Sequence, residues 1–453
     1  MTVTLRTVNI PDFGLPLERP AIPAATYAAR CDTALKRSGA EWLVVYADRE
    51  HAANIAFLTG FEPRFEEALL LLGKGGERIV ATGNESISYT PVAGLPGMAT
   101  MLAQSLSLMA QDRTEKPDLV AVLREAGLKA GDAVGLVGWK YLEAAEWAAP
   151  TPTFLAPAFI VDAIAAIAGR DALSDATRVL MHPTEGLRAV VDADQIAEAE
   201  WGAARSSMAV WRIVSGFAPG DSELAAAARM GYAGEPMCCH PMLATNDRSG
   251  PVIGLRSPTA RVPKKGDGAT TAVGYWGGLT ARGGLIAESD DAFLDVARAY
   301  FRGIVAWYET AAIGAEGGAI HEAVVSTLAR GKLRPALNPG HLVGLDEWMH
   351  SPIRPGSTDR IASGMPFQVD IIPAPMPDGW TLNCEDAVTF ADADLRAELT
   401  RKHPALAARF EARRRFVADE IGIAVREDIL LLSAIPLCLP PFWLASGKLL
   451  ARG

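Results

Sequence analysis

Asn338-Pro339-Gly340-His341-Leu342-Val343-Gly344-Leu345 is the stretch on which the reading of this chain turns. A Pro-Gly turn delivers one histidine between two glycines inside an apolar, β-like run. That setting leaves the imidazole accessible, and histidine is the side chain best poised for proton transfer near neutral pH. Two later stretches share the pattern of polar residues in β-like apolar surroundings. In Gly364-Met365-Pro366-Phe367-Gln368-Val369-Asp370-Ile371-Ile372-Pro373 a carboxylate ends an apolar strand, where burial costs free energy unless the charge is paired. In Asn383-Cys384-Glu385-Asp386-Ala387-Val388 two adjacent acids open another strand. Neighbours on a strand face opposite sides, so only one of Glu385 and Asp386 can point into a site. Taken singly these are a hydrogen-bonded loop histidine and structural ion-pair acids. Their order and spacing make them specific.

The rest of the chain sets limits. Its 453 residues carry 43 Lys+Arg against 53 Asp+Glu, a formal charge of −10, with 49% apolar and 21% charged residues. This is the balance of an ordinary soluble globule, long enough for about two or three domains. The acidic balance argues against nucleic acid as a partner, since phosphate neutralisation needs a basic face. Met1–Pro20 contains Pro11, Asp12, Glu18 and Arg19 and no continuous apolar core, so it does not read as a signal peptide. The most apolar stretch, Ile429–Ala445, is broken by Pro436, Pro440 and Pro441 and reads as buried strands and turns rather than a membrane span. Five cysteines at irregular spacing imply no disulfide framework, and the expectation is a reduced, cytoplasmic protein.

Residues 1–190 read as an α/β domain. A helix over Ala24–Arg37 stops at Gly39; strands follow at Trp42–Tyr46 and Ala68–Leu72, with a hairpin into Arg78–Ala81 and a further strand at Ala133–Trp139. Near residue 190 the pattern changes. Val191–Ser215 predicts a long amphipathic helix with Trp201, Ala204, Met208 and Trp211 on its core face. Pro219-Gly220 ends it, and Asp221 or Ser222 can cap a second helix ending near Gly231. Residues 191–453 form the second domain, with helices at Asp291–Thr310 and Gly317–Leu328. A helical insertion over about 395–423 carries Arg409, Arg413, Arg414 and Arg415, and offers a dimer contact, a lid or a solvated face.

With these residues in place, the sequence resembles the pita-bread family of creatinase, proline dipeptidases and methionine aminopeptidases. The resemblance is carried by Ala53–Phe61, Pro219–Leu224, Lys265-Gly266-Asp267, Gly274-Tyr275, Pro339–Leu345 and Glu385–Val388. It implies a creatinase-type α/β N-terminal domain, then an α+β pita-bread domain with a curved antiparallel sheet, in a homodimer. Metallopeptidases of this fold hold two metal ions with two Asp, one His and two Glu. His341 and Glu385 match two of these positions, and the shorter Asp370 fills the other Glu position. The two Asp should lie around Ala269–Arg282, yet Gly268–Ala287 contains no acid; Ala272 or Asp267 stands for one and Gly278 or Gly283 for the other. A dinuclear centre is therefore not expected, and neither metal nor other cofactor is assigned. A single ion on His341, Asp370 and Glu385 is the alternative.

Creatinase uses this scaffold without metal, and its resemblance implies a histidine acid/base, substrate-binding carboxylates and an arginine lent by the neighbouring subunit. The histidine expected just before Ser257-Pro258 is replaced by Leu255 and Arg256, and the Glu expected after Gly274-Tyr275 by Thr280 or Ala281. On this basis His341 or His240 is the proton-transfer group, with Glu385 and Asp370 orienting it or binding a cationic group. Arg282 and Arg64 would bind an anionic part of the substrate, Arg64 reaching the neighbouring subunit's site. Tyr275, Trp348 and His350 would line the pocket. Cys238 and Cys239 offer a thiol nucleophile, although free cysteine is among the most buried residue types. The expected function is a metal-independent, creatinase-like hydrolase or lyase acting on a C–N bond of a small zwitterionic or amide-type molecule. The alternatives are an Xaa-Pro-type metallopeptidase with altered ligation and a binding scaffold that has lost catalysis.

Overall fold

Val3–Thr7 (β1) opens the chain as a strand, and its partner lies at the other end of the sequence. In the computed structural model, which describes every residue from Met1 to Gly453, the chain forms two units. One is Ala21–Ala189; the other joins Met1–Pro20 to Val190–Gly453.

In the first unit the helix Ala24–Ser38 stops at Gly39, whose φ of 68° is the left-handed conformation that ends helices at glycine. Strands Trp42–Ala47 (β2), Ala68–Gly73 (β3), Arg78–Thr82 (β4), Ala99–Leu102 (β5), Val134–Val137 (β6) and Leu173–Asp175 (β7) form one sheet in the order β5-β4-β3-β2-β6-β7. β2 and β3 are buried along their whole length, as their unbroken apolar runs require. Val44, Leu69, Leu71 and Leu136 pack with Ile160 and Ile164 of the helix Ala158–Ala168.

The second unit is built on a seven-stranded sheet. Met242–Asn246 (β8), Gly268–Tyr275 (β9) and Gly278–Leu285 (β10) come first. A two-residue strand Arg334–Pro335 (β11) stands apart, and His341–Leu342 (β12) and Pro366–Val369 (β13) return to the sheet. Pro373–Ala374 (β14) pairs with β11, and Asn383–Phe390 (β15) and Ile429–Leu431 (β16) complete the set. The order is β12-β13-β15-β10-β9-β8 with β16 also on β15, and every pairing is antiparallel. Lys448–Arg452 (β17) pairs with β1, Val3 opposite Arg452 and Thr7 opposite Lys448. The first twenty residues therefore belong with this unit, contrary to the expected 1–190 domain.

The long helix Ala193–Ser215 lies against the β9–β10 hairpin, close enough that two glycines are required. A Cβ at Gly202 would sit 1.8 Å from the Trp276 carbonyl, and one at Gly277 would sit 2.4 Å from Ala199. Asp194, Glu198 and Glu200 of this helix are buried along with Trp201 and Ala204, and the insertion covers Asp194 and Glu200, while Arg212 stays exposed. The insertion forms two helices, Ala393–Lys402 and Pro404–Phe416. Arg409 and Arg413 bond the buried Glu200 at 2.7–2.8 Å, and Lys402 and His403 reach Asp194. Arg409 and Arg413 are thus packing residues rather than part of a solvated face. No helix is long and apolar enough to cross a membrane.

Ser222 caps the short helix Glu223–Ala227, and Glu223 turns inward. Its carboxylate accepts bonds from the amides and hydroxyls of Thr245 and Thr259 at 2.6–2.9 Å, and from Arg256. Burial pushes its pKa up, but these donors outweigh burial and hold it below the ordinary carboxylate range. A depressed folded-state pKa contributes stability above the unfolded value, and that stability is lost as pH falls through the folded one. Glu223→Gln is expected to cost about 1.5–3 kcal/mol at pH 7. In urea titrations the gap to the parent should shrink below pH ~4.3; a gap that does not change with pH would contradict this account.

Candidate active site

The register of the sheet assembles the site. Gln368 faces Ala387 and Val369 faces Asp386, so one residue further on Asp370 stands opposite Glu385. Glu385 pairs with Ala281, Ala281 with Ala272, and Ala272 with Met242. One row across the sheet therefore reads Asp370, Glu385, Ala281, Ala272, Met242. All five line a cavity of about 600 Å³ whose other walls include Cys238, Cys239, His240, Glu347 and Trp348. The positions facing Glu385 across the neighbouring strands, where the resemblance calls for metal-binding Asp, are alanines. Of the expected positions, Ala272 lies in this row; Asp267, Gly278 and Gly283 do not, and Ala281 stands beside Glu385 instead.

His341 enters from the strand beyond, opposite Gln368. Side-chain ligand atoms of His341, Asp370 and Glu385 all lie within 4.8 Å of one another, and all three residues are buried. His341 Nδ1 lies 3.2 Å from the Leu342 carbonyl, and its ring stacks on Trp348 with centroids 4.0 Å apart. Nε2 lies 3.3 Å from the Glu347 carboxylate and 4.0 Å from Glu385, neither contact being an aligned hydrogen bond. Gln368 Nε2 donates to the Leu279 carbonyl and, at 2.9 Å, to Glu385 Oε1. Asp370 Oδ1 and Gln368 Oε1 are buried without a partner.

The electrostatics follow from burial and crowding. Burial pushes Asp370 up to about 6, with His341 opposing and Glu347 adding to the rise. Glu385 is raised well above the carboxylate range by burial and by the charges of Asp370 and Glu347. For His341 burial acts downward, but the Glu347 carboxylate and the Asp370 charge outweigh it and raise the pKa. Neither Lys nor Arg is among the lining residues.

The other expected site residues divide. His240 lines the cavity from an exposed segment just before β8, its Nε2 3.1 Å from the Leu255 carbonyl. Trp348 also lines it. Arg282 does not, which corrects the expectation that it meets Asp370, Glu385 or a substrate anion. It follows Ala281 on the strand and so points to the other face. There its Nη2 bonds both Asp386 oxygens at 2.9 Å, while its remaining donors reach the carbonyls of Ala281, Glu385, Ile435 and Cys438. Tyr275 is likewise directed away, into a core with Val273 and Leu243. His350 pairs through its backbone with Leu342 and does not line the cavity. Arg64, in the first unit, pairs with Glu62 at 2.7 Å and lies over the Tyr89 ring. Gln368 and Glu347 were not singled out from the sequence. Gln368 stands two residues before Asp370 on one strand, hence on the same face.

No protein-family model matches the chain, and no curated protein matches it. Solved structures do. Dipeptidase PepE from Mycobacterium ulcerans aligns with a TM-score of 0.59 at 19% identity, over 82% of this chain and 94% of that one. The prolidase from Pyrococcus horikoshii OT3 aligns with a TM-score of 0.62 at 12% identity, over 80% and 95%. The X-Pro aminopeptidase from Thermotoga maritima MSB8 aligns with a TM-score of 0.62 at 14% identity, over 81% and 95%. The fold is thus the expected one: a mixed α/β unit together with a pita-bread unit. Within it, His341, Asp370 and Glu385 come together, and Ala281 and Ala272 continue the row beyond Glu385.

Proposed function

We propose that this chain is a hydrolase acting on an amide-type C–N bond of a small polar substrate, and that its cavity works around one cation held by His341, Asp370 and Glu385. The observation that carries the reading is the charge imbalance of the cavity. Two buried acids and Glu347 converge on a single histidine, with neither Lys nor Arg lining the walls. Buried anions need a positive partner. One divalent ion fits a donor set of one imidazole and two carboxylates with positions left open. The unpartnered Asp370 Oδ1 and His341 Nε2 supply free ligand atoms. Two ions do not fit, because Ala272 and Ala281 offer no ligand.

When bound, such an ion polarises a substrate carbonyl and makes a bound water more acidic. The protein's own groups do the rest. Gln368 fixes the orientation of Glu385, Trp348 fixes the plane of the His341 ring, and Glu347 and His240 stand at the walls as proton carriers. The names of the aligned structures, a dipeptidase, a prolidase and an X-Pro aminopeptidase, support amide hydrolysis.

A metal-independent form of this reading is favoured by Trp348. Trp348 stacks on His341 and also lines the cavity wall, where its indole can meet a substrate ammonium or guanidinium that itself supplies the positive charge. Elemental analysis with hydrolysis assays on a panel of dipeptides and amidino acids separates the two. About one divalent ion per chain is expected, lost in Glu385→Gln and Asp370→Asn, with turnover falling in proportion. Full turnover after exhaustive chelation would transfer support to the metal-independent form. Two ions per chain would defeat both, and no turnover on any substrate would defeat the hydrolase.

A further inference from the structure

We infer that Cys238 and Cys239 form a vicinal-dithiol site on the wall of the cavity, built to hold a thiophilic ion or a trivalent arsenical between two sulfurs. Adjacent residues on a strand point to opposite faces. Here the chain leaves strand geometry: Met237 bridges Tyr275, Cys238 N donates to the Gly274 carbonyl at 3.2 Å, and a bend follows at Cys238-Cys239. The bend turns both thiols to the same side, and both residues line the cavity.

Gly274 shows that the pair has a place made for it. A Cβ there would lie 2.7 Å from Cys238 Sγ and 2.8 Å from Cys239 Sγ, closer than real Cβ atoms approach. Both sulfurs therefore sit over one bare backbone position, no further apart than those two distances combined. The backbone itself does not call for glycine here, since Gly274 is not among the glycines of positive φ. The bare position gives the two sulfurs room where they stand.

The two thiols are also unequal. The neighbouring thiol and burial raise the pKa of Cys238, while Cys239 is lowered by the Cys238 thiol beside it. The thiolate is the nucleophile and the metal ligand, and two sulfurs on one side of the chain can close on a single soft atom. Thiolates select soft ions, so this pair and the hard carboxylate cluster would take different partners. The remaining cysteines, Cys31, Cys384 and Cys438, are buried.

Phenylarsine oxide is the probe. Its arsenic–oxygen bond breaks, two arsenic–sulfur bonds form, and the two thiol protons leave with the oxygen as water; no oxidant is needed. The test does not rest on the proposed hydrolase, because it reads mass and not turnover. Full-length protein reduced with a phosphine is expected to take up one equivalent. Peptide mapping should place it on the peptide containing Cys238 and Cys239, and excess dithiothreitol should remove it where a monothiol does not. Cys238→Ser and Cys239→Ser, each checked for folding by circular dichroism, should weaken binding by about a hundredfold or more, the chelate advantage of two linked contacts. Gly274→Ala should weaken it while leaving both cysteines present. Uptake on Cys31, Cys384 or Cys438, no uptake by the folded reduced protein, or undiminished binding in either serine variant would overturn the assignment.

Discussion

Arg282→Met is expected to lower the unfolding free energy by about 3–5 kcal/mol, the cost of removing one partner from a buried ion pair. Arg282 and Asp386 are both buried and face each other at 2.9 Å. Asp386 also accepts the Leu437 amide, and the arginine ties four carbonyls from two strands and one loop to this point. Methionine approximates the volume but leaves Asp386 charged in an apolar place and takes one donor from each of those carbonyls, of which Ile435 keeps the Cys438 amide. Against a total stability of about 5–15 kcal/mol, the loss should move the denaturant midpoint far and reduce the yield of folded protein. Arg282→Met with Asp386→Leu should recover much of the loss, because replacing a whole buried pair by apolar groups is often close to neutral. A stable single variant would mean that Arg282 is not structural. A double variant no better than the single would mean that the carbonyls, and not Asp386, are its main partners.

The assignment of Arg282 marks where reading the sequence stops working. Its residue type and its place near the expected metal positions suggested a charge reversal in the pocket. Which face it takes depends on parity, and parity depends on a cross-strand register that spans more than a hundred residues, Ala281 opposite Glu385. Glu385 and Asp386 show the same thing from the other side. Strand alternation already required one of them to turn away, and the structure turns Asp386 to Arg282 and Glu385 to His341. The three polar stretches were legible because each breaks an apolar β pattern at a place a plain strand would leave apolar. The strand pairing of Val3–Thr7 with Lys448–Arg452 was not, since two short runs at opposite ends carry no local signal of their partner.

Some of the missing detail was within reach. Tyr275 pairs with Gly278 around the two-residue turn Trp276-Gly277, and in a tight hairpin the turn fixes the register of the whole pair. Counting back three residues on each side puts Ala272 opposite Ala281. Gly278 and Gly283, the other expected positions, fall out of step with that count. The amphipathic pattern of Val191–Ser215 implies a polar outer face, yet Glu198 and Glu200 are buried. The arginines that bury Glu200 come from an insertion two hundred residues later, too far for any periodicity to reveal.

The hairpin count leads to the second large effect expected, in Ala272→Asp with Ala281→Asp. These substitutions would extend the row of acids from Asp370 and Glu385 across the next two strands, into a cavity with about 600 Å³ of space. Without cations the variant should be much less stable than the parent, because buried carboxylates side by side repel and each unpaired charge costs several kcal/mol. With divalent cations present the cost should be offset by binding. An ion at a hundred times its dissociation constant stabilises the folded state by about 2.7 kcal/mol. The thermal midpoint of the variant should therefore depend steeply on added Mn or Zn, and elemental analysis should rise from about one ion per chain to about two. Each Asp alone should give an intermediate midpoint and no full second equivalent, since a hard ion needs several anionic oxygens at once. If the double variant gains no ion and its midpoint ignores the metal, the two alanines are not the vacated half of the site. The row Asp370, Glu385, Ala281, Ala272 would then be a coincidence of register, and the positive charge that balances Asp370 and Glu385 would have to come from the substrate.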